Sequence, residues 1–124
     1  MQALYQWQLA GQSAAELCAQ FDAAGLGGAD ADYFRELVEG VIAGSAELDA
    51  RIGQFADREV ARLDPVERAI LLLAVYELEH RPDVPHAVVI NEAVELGKRF
   101  GATEGHRYVN ALLDRAARAL REGP

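Results

Sequence analysis

The sequence predicts an all-α protein, on three observations. Apolar residues recur at intervals of three and four along almost the whole chain, which is the period of one helix face. Prolines, glycines and capping residues divide the chain into stretches of helical length. Strict alternation of apolar and polar residues, the pattern of a half-buried strand, is found in no stretch.

The first two predicted helices lie before residue 25. The opening phrase ALYQWQL predicts a helix in which Trp7 faces the core, and Tyr5 points about 160° away from Trp7. The second helix is expected to begin at Ser13, because Ser13 and Glu16 have the spacing of a capping box. Cys18 falls beside the apolar stripe of this helix and is expected to be a small buried side chain.

The next stretch is helical, but its division is open. Asp30 or Asp32 is the expected cap, and the apolar stripe then continues past residue 50. Gly40 and Gly44 would let another helix approach closely, and they also weaken the helix locally. One long helix and two helices broken near Gly44 both fit this pattern.

The second half predicts three helices with clear boundaries. Asp64 is the expected cap of the first, Pro65 its first residue, and Glu67 the carboxylate of a capping box. Residues 69–76 are apolar without interruption, so this helix should lie at the centre of the fold.

Prolines and a glycine mark the remaining two helices. Pro82 and Pro85 separate the central helix from the next, which is expected at residues 86–100, with Phe100 buried. Gly101 is expected to end it in the left-handed conformation. The last helix is expected at about residues 104–121.

The composition is that of one small globular domain. The 124 residues are 51% hydrophobic and 26% charged, which suits a single modest core. The sequence contains neither a run of about 18 uncharged apolar residues nor a secretory signal. One cysteine excludes an internal disulfide and fits a reducing compartment. We therefore expect a cytoplasmic protein.

The charge balance limits the partners. Twenty acidic residues against 12 basic ones give a net charge of −8. Phosphate contacts require Lys or Arg and supply most of the sequence-independent affinity for nucleic acid. An RNA site would therefore be a local patch, or a protein partner would provide part of it. On the last helix Arg107, Arg118 and Arg121 fall within one narrow arc, for which an ordinary solvated face is the alternative.

Sequence patterns of enzymes and metal sites are missing. His80, His86 and His106 are too far apart in sequence for a local zinc pair. The chain has no phosphate-binding lysine loop and no G-x-S-x-G elbow. We expect a protein that is not an enzyme and that holds no cofactor or metal.

Three phrases in the second half give a family resemblance. VERAILLLAVYEL, DVPHAVVINEAVELGKRFG and HRYVNALLD, in this order, resemble the C-terminal half of NusB, the bacterial transcription antitermination factor. The likeness extends from Gln2 to about Arg121. It implies the NusB fold, with about seven helices in two packed three-helix-bundle halves, here residues 1–62 and 63–124. It also implies pairing with the ribosomal protein NusE, binding of boxA RNA, and action on RNA polymerase in ribosomal RNA operons.

The same resemblance implies two sets of contact residues. The RNA side comprises the tyrosine of the opening phrase and the start of the last helix, where an arginine would meet phosphate and a ring would stack on a base. With the arc of arginines, the expected RNA contacts are Tyr5, His106, Arg107, Tyr108 and Arg118. The residues expected near NusE are Glu67, Arg68 and Glu104.

One departure and two alternatives qualify the resemblance. NusB proteins carry an arginine-rich arm just before the phrase that matches Gln2–Tyr5, whereas this sequence begins at Met1. We therefore expect fewer phosphate contacts. A NusB-like module also occurs in certain ribosomal RNA cytosine methyltransferases, which have a long C-terminal catalytic domain. A helical interaction protein that binds no RNA is the other alternative.

Overall fold

Seven α-helices and a final π-helical turn make up the computed structural model, which describes residues 1–23, 28–56, 63–101 and 105–122. The turn is Arg118–Glu122, and the helices are α1 (Gln2–Ala10), α2 (Ala14–Ala23), α3 (Gly28–Ala43), α4 (Ser45–Phe55), α5 (Pro65–His80), α6 (His86–Phe100) and α7 (Gly105–Ala117). Those ranges contain no strand, which confirms the all-α prediction. They also contain no helix with the length and apolarity that crossing a bilayer requires.

Helix α5 is the centre of the fold. It begins as predicted: Asp64 Oδ1 accepts a hydrogen bond of 2.7 Å from the Val66 amide, and Pro65 takes the first helical position. Its apolar residues between Ala69 and Leu78 are buried on nearly every side, and it contacts α1, α3, α4, α6 and α7. Each fully buried leucine contributes about 1.5–3 kcal/mol, so this helix supplies much of the stability.

The buried residues form two clusters. The main cluster is built on α5 and includes residues of α4, α6 and α7, whereas the smaller one consists of Ala3, Leu17, Cys18 and Val38. Trp7 is half-buried and packs against both clusters, in agreement with its expected core position. The burial of Cys18 is confirmed. The division of the domain at residue 62 stays a prediction.

The long helical stretch is two helices, broken at Gly44. Helix α3 begins at Gly28, earlier than either expected cap, Asp30 or Asp32. Gly40 performs the predicted role, because a Cβ there would lie 2.5 Å from the Tyr76 hydroxyl oxygen of α5. Gly44 admits no other helix, since a Cβ there would meet only the Gly40 carbonyl, at 3.3 Å.

Helix α6 spans the predicted residues, but the conformation of its C-terminal cap differs from the prediction. Gly101 has φ −89° and ψ −180°, so its backbone is extended and the expectation of a left-handed cap is wrong. Close packing explains this glycine instead, because a Cβ would lie 2.8 Å from the Gly97 carbonyl oxygen. Gly97 lets α7 approach, since its own Cβ would be 3.1 Å from the His106 Cα.

Arg121 joins the C-terminal turn to the end of α5. Its guanidinium donates hydrogen bonds to backbone carbonyls that include those of Leu78 (3.1 Å), Glu77 (3.1 Å) and Arg81 (2.8 Å), and also to that of Val84. The last carbonyls of a helix have no partner within the helix, and a cation is favoured beside them. Arg121 therefore points inward, and the expectation that it shares a solvated arc with Arg107 and Arg118 is wrong.

Replacing Arg121 by Met should lower the free energy of unfolding by about 1–3 kcal/mol, because half-buried carbonyls lose their donor. Urea denaturation measures the loss. Arg118→Met on the same turn is the matched control and should change little, because the Arg118 side chain is exposed. Equal stability of the two variants would show that the Arg121 contacts do not hold the turn.

Glu77 is a buried carboxylate beside the same helix end. Its Oε2 accepts a hydrogen bond of 2.8 Å from the Tyr33 hydroxyl. Burial raises the pKa of Glu77, and the nearby Glu92 carboxylate raises it further. The Tyr33 hydrogen bond and the charges of Arg81 and Arg121 oppose this shift without cancelling it. The ionised form is therefore less favourable in the folded state than in the unfolded chain.

The Glu77→Gln variant should be more stable than the parent at neutral pH, because an amide avoids the cost of a buried charge while it still accepts the Tyr33 hydrogen bond. The parent should be stabilised by protonation at low pH and should lose that contribution as the pH rises through the raised pKa of Glu77. Thermal denaturation of both proteins at pH values below and above the pKa of Glu77 tests whether the variant gains stability over the parent as the pH rises. A difference that does not vary with pH would contradict it.

Candidate nucleic-acid interface

Four helix ends meet at one corner of the molecule. The starts of α1 and α5 and the end of α6 line a cleft of about 220 Å³, whose residues are Met1, Gln2, Tyr5, Val66 and Phe100. The start of α7 adjoins them, because Gly105 lies against the Glu67 side chain of α5. Side chains that are distant in sequence are thus brought together at this corner.

Two aromatic rings are exposed at the corner. Tyr5 is 37% exposed, as its angle from Trp7 predicted. Phe100 is 40% exposed, so the prediction that it is buried is wrong. Periodicity identifies the inward face of a helix, but it does not show how far neighbouring helices extend along that face. Phe100 is the last residue of α6, and at this position it is only partly covered.

The cations expected on the RNA side occupy different environments. Arg107 and Arg118 are exposed, whereas His106 is half-buried where α7 crosses Gly97. Arg99, which was not predicted as a site residue, has its guanidinium carbon 5.2 Å from the centroid of the Phe100 ring. It also lines a second cleft, of about 370 Å³, that shares Met1, Gln2 and Phe100 with the first. Only the folded chain reveals this pairing of a cation with an exposed ring.

Tyr108 is less accessible than the resemblance implies. Its ring is half-buried and packs against the main cluster, and its hydroxyl oxygen is shielded from solvent. A ring in this position supports the start of α7 from beneath. Its contact with RNA stays a prediction.

Glu67 is directed into the protein. Its side chain is buried, and its Oε1 lies 2.8 Å from the position that a Cβ on Gly105 would occupy. This contact accounts for a glycine at the first position of α7. A carboxylate at a helix N-terminus is favoured by the helix dipole, by up to about 2 kcal/mol when partly buried. The Glu67 side chain therefore helps to hold the start of α7 against α5.

Arg68 also makes internal contacts. It forms a bidentate ion pair with Asp49 (3.1 and 2.6 Å) and donates a hydrogen bond of 3.2 Å to Gln8 Oε1. Its guanidinium carbon lies 5.6 Å from the centroid of a Trp7 ring. These contacts join α1, α4 and α5. Glu104, the third residue expected near NusE, lies outside the described residues.

The described part of the chain contains no group of three or more His, Cys, Asp or Glu residues placed to hold a metal ion. The corner instead combines exposed rings with arginines, and the described residues that line the two clefts include no carboxylate. Rings stack on unpaired bases, and arginines contact phosphates. This arrangement suits binding of a single-stranded nucleic acid.

Comparisons with known proteins identify the family. A family model described as the NusB family matches residues 1–118. The transcription antitermination protein NusB of Halorhodospira halophila is 53% identical over 115 residues, covering 93% of this chain and 74% of that protein. Its namesake in Nitrosococcus oceani is 49% identical over 121 residues, covering 98% and 82%. The structure of T. maritima NusB aligns with a TM-score of 0.86 at 28% identity, covering 95% of this chain and 84% of that one.

These matches define the protein class as all-α transcription antitermination factors, which are not enzymes. The chain belongs to the NusB family. The resemblance carried by three phrases of sequence is thereby confirmed, together with the NusB fold.

Reversing the charge of Glu67, as Glu67→Lys, should destabilise the protein by roughly 2 kcal/mol, because the helix dipole of α7 would then face a buried cation. Thermal unfolding followed by circular dichroism measures the change. Glu95→Lys on α6 is the matched control, since that side chain is 67% exposed, and its melting temperature should barely move. Equal stability of both variants would show that Glu67 does not support α7.

Proposed function

We propose that this protein pairs with NusE and that the pair binds the boxA element of nascent RNA. The complex would help RNA polymerase pass terminators, chiefly in ribosomal RNA operons, and would act in the bacterial cytoplasm. Membership of the NusB family supports transcription antitermination. The observation that carries the RNA part is the corner itself, where Tyr5 and Arg107 are exposed on an otherwise acidic protein.

Arginine side chains, rather than helix dipoles, would supply the attraction for phosphate. The starts of α5 and α7 already have carboxylates beside them, Asp64 at the first and Glu67 at the second. These negative charges offset the partial positive charge at each helix start. Arg107 therefore remains the main phosphate ligand at the corner, with His106 beside it and Tyr5 as a stacking ring. Arg118, on the turn that follows α7, would meet phosphate farther along the strand. Tyr108 would contribute mainly by supporting the first turn of α7.

The surface for NusE should lie where acidic side chains are exposed. Glu67 and Arg68, which the resemblance implies for this role, are occupied inside the protein and would act by fixing the start of α5. The outer face of α6 offers a groove of about 360 Å³ lined by Asn91, Glu92, Glu95, Leu96 and Arg99. Ribosomal proteins carry many cations because they bind RNA. A groove with an apolar base and two carboxylates fits such a partner.

Titration calorimetry of the protein, NusE and boxA RNA tests the proposal. NusE should bind the protein alone, and RNA should bind much more tightly once NusE is present, because the protein carries a net charge of −8. Glu95→Lys should weaken NusE binding by electrostatic repulsion. RNA binding that gains nothing from NusE would contradict the proposed pair.

A salt titration of RNA binding tests the role of Arg107. Arg107→Ala should make the plot of log K against log salt shallower by about 0.7, the value for one phosphate contact on a single strand. Arg51→Ala is the matched control, because Arg51 pairs with Glu79, twelve residues or roughly 18 Å along α5 from Glu67. Equal slopes for the two variants would exclude Arg107 from the RNA surface.

A further inference from the structure

We propose that the cleft lined by Tyr5 and Phe100 binds one unstacked base of single-stranded RNA, and that Arg99 contacts the phosphate beside that base. This inference rests on the proposed function and extends it by a specific subsite.

The first argument is the exposure of Phe100. The ring ends α6 on the face that is buried elsewhere along the helix, yet it is 40% exposed. Tyr5 lines the same cleft of about 220 Å³ and is 37% exposed. A large apolar side chain left in solvent loses the stabilisation that burial would give it. Two such rings beside one cleft form a surface on which a flat aromatic ligand can stack.

The second argument is the charge around the rings. Of the described side chains that line the two adjoining clefts, all but Arg99 are apolar or uncharged. The Arg99 guanidinium carbon lies 5.2 Å from the centroid of the Phe100 ring, so a molecule that touches this ring is also within reach of the cation. A ligand with a flat ring and a negative charge would stack on Phe100 and pair with Arg99 at the same time.

The third argument separates RNA from a protein partner. The neighbouring groove on α6 carries Glu92 and Glu95, which suit a basic polypeptide, whereas no carboxylate is found among the described residues that line the Tyr5–Phe100 cleft. A basic partner would be attracted by the two carboxylates of the groove, which Arg99 also lines, and would find no carboxylate among the described residues of the cleft. An RNA strand has the opposite preference, because its phosphates require a cation and its bases require rings.

The test measures binding of the NusE complex to a single-stranded boxA oligoribonucleotide in which a fluorescent adenine analogue replaces one base at a time. Phe100→Ala should weaken binding by about 5- to 100-fold, the usual effect of removing one stacking ring. At one RNA position it should also abolish the quenching of fluorescence that stacking causes. Phe100→Trp should retain both properties. Leu9→Ala, which removes a side chain 61% exposed outside the cleft, is the control and should bind as the parent does.

Arg99 is distinguished from Phe100 by the response to salt. Arg99→Ala should make the salt dependence shallower by about 0.7, whereas Phe100→Ala should leave the slope unchanged. If the parent complex binds the RNA and Phe100→Ala binds equally well, this inference is wrong and the proposed function stands. If Phe100→Ala weakens NusE binding instead, the cleft serves a protein. If the parent complex fails to bind RNA, the inference and the proposed function fail together.

Discussion

The burial of helix α5 is the constraint on which the rest of the structure depends. Its apolar residues face inward on nearly every side, so the other helices must surround it. A buried helix also needs partners for the polar groups at its ends. Asp64 satisfies an amide at the start, and Arg121 supplies hydrogen bonds to carbonyls at the finish. The C-terminal turn therefore stabilises the end of α5 as well as continuing α7.

The same constraint positions the candidate RNA surface. Since α5 is central, the helices that pack on it begin or end near its first turn, and this brings Tyr5, Phe100 and Gly105 to one corner. Helix ends are less completely covered than helix centres, and rings located there stay in contact with solvent. The buried carboxylate of Glu67 fixes where α7 begins, and hence where Arg107 emerges. The contacts that stabilise the start of α7 thus adjoin the residues proposed to bind RNA.

Electrostatics divides the surface into regions of different charge. The chain as a whole is acidic, and most of its described arginines have partners within the protein: Arg68 pairs with Asp49, Arg81 with Glu36 and Asp83, and Arg115 with the Phe55 carbonyl. Such arginines contribute little attraction for phosphate, because a carboxylate offsets their charge or a carbonyl occupies their donors. An exposed arginine beside an exposed ring therefore indicates a phosphate-binding surface better than the total number of cations does. This distinction separates Arg99, which lies beside the exposed Phe100 ring, from Arg121.

The sequence by itself determined the all-α class, the start of α5, the bounds of α6, the central position of α5 and the family. Helical period, capping residues and proline are local signals, and local geometry is enough to interpret them. The sequence could not determine which way residues at helix ends face, because that depends on the extent of neighbouring helices. Phe100 was expected inside and is exposed, whereas Arg121 was expected outside and reaches inward to Leu78. Gly101 is extended, and a Cβ on this backbone would lie 2.8 Å from the Gly97 carbonyl oxygen, a contact that spacing does not encode. Tertiary structure alone decided these positions, since each depends on atoms that are far apart in the chain or crowded together only in the folded state.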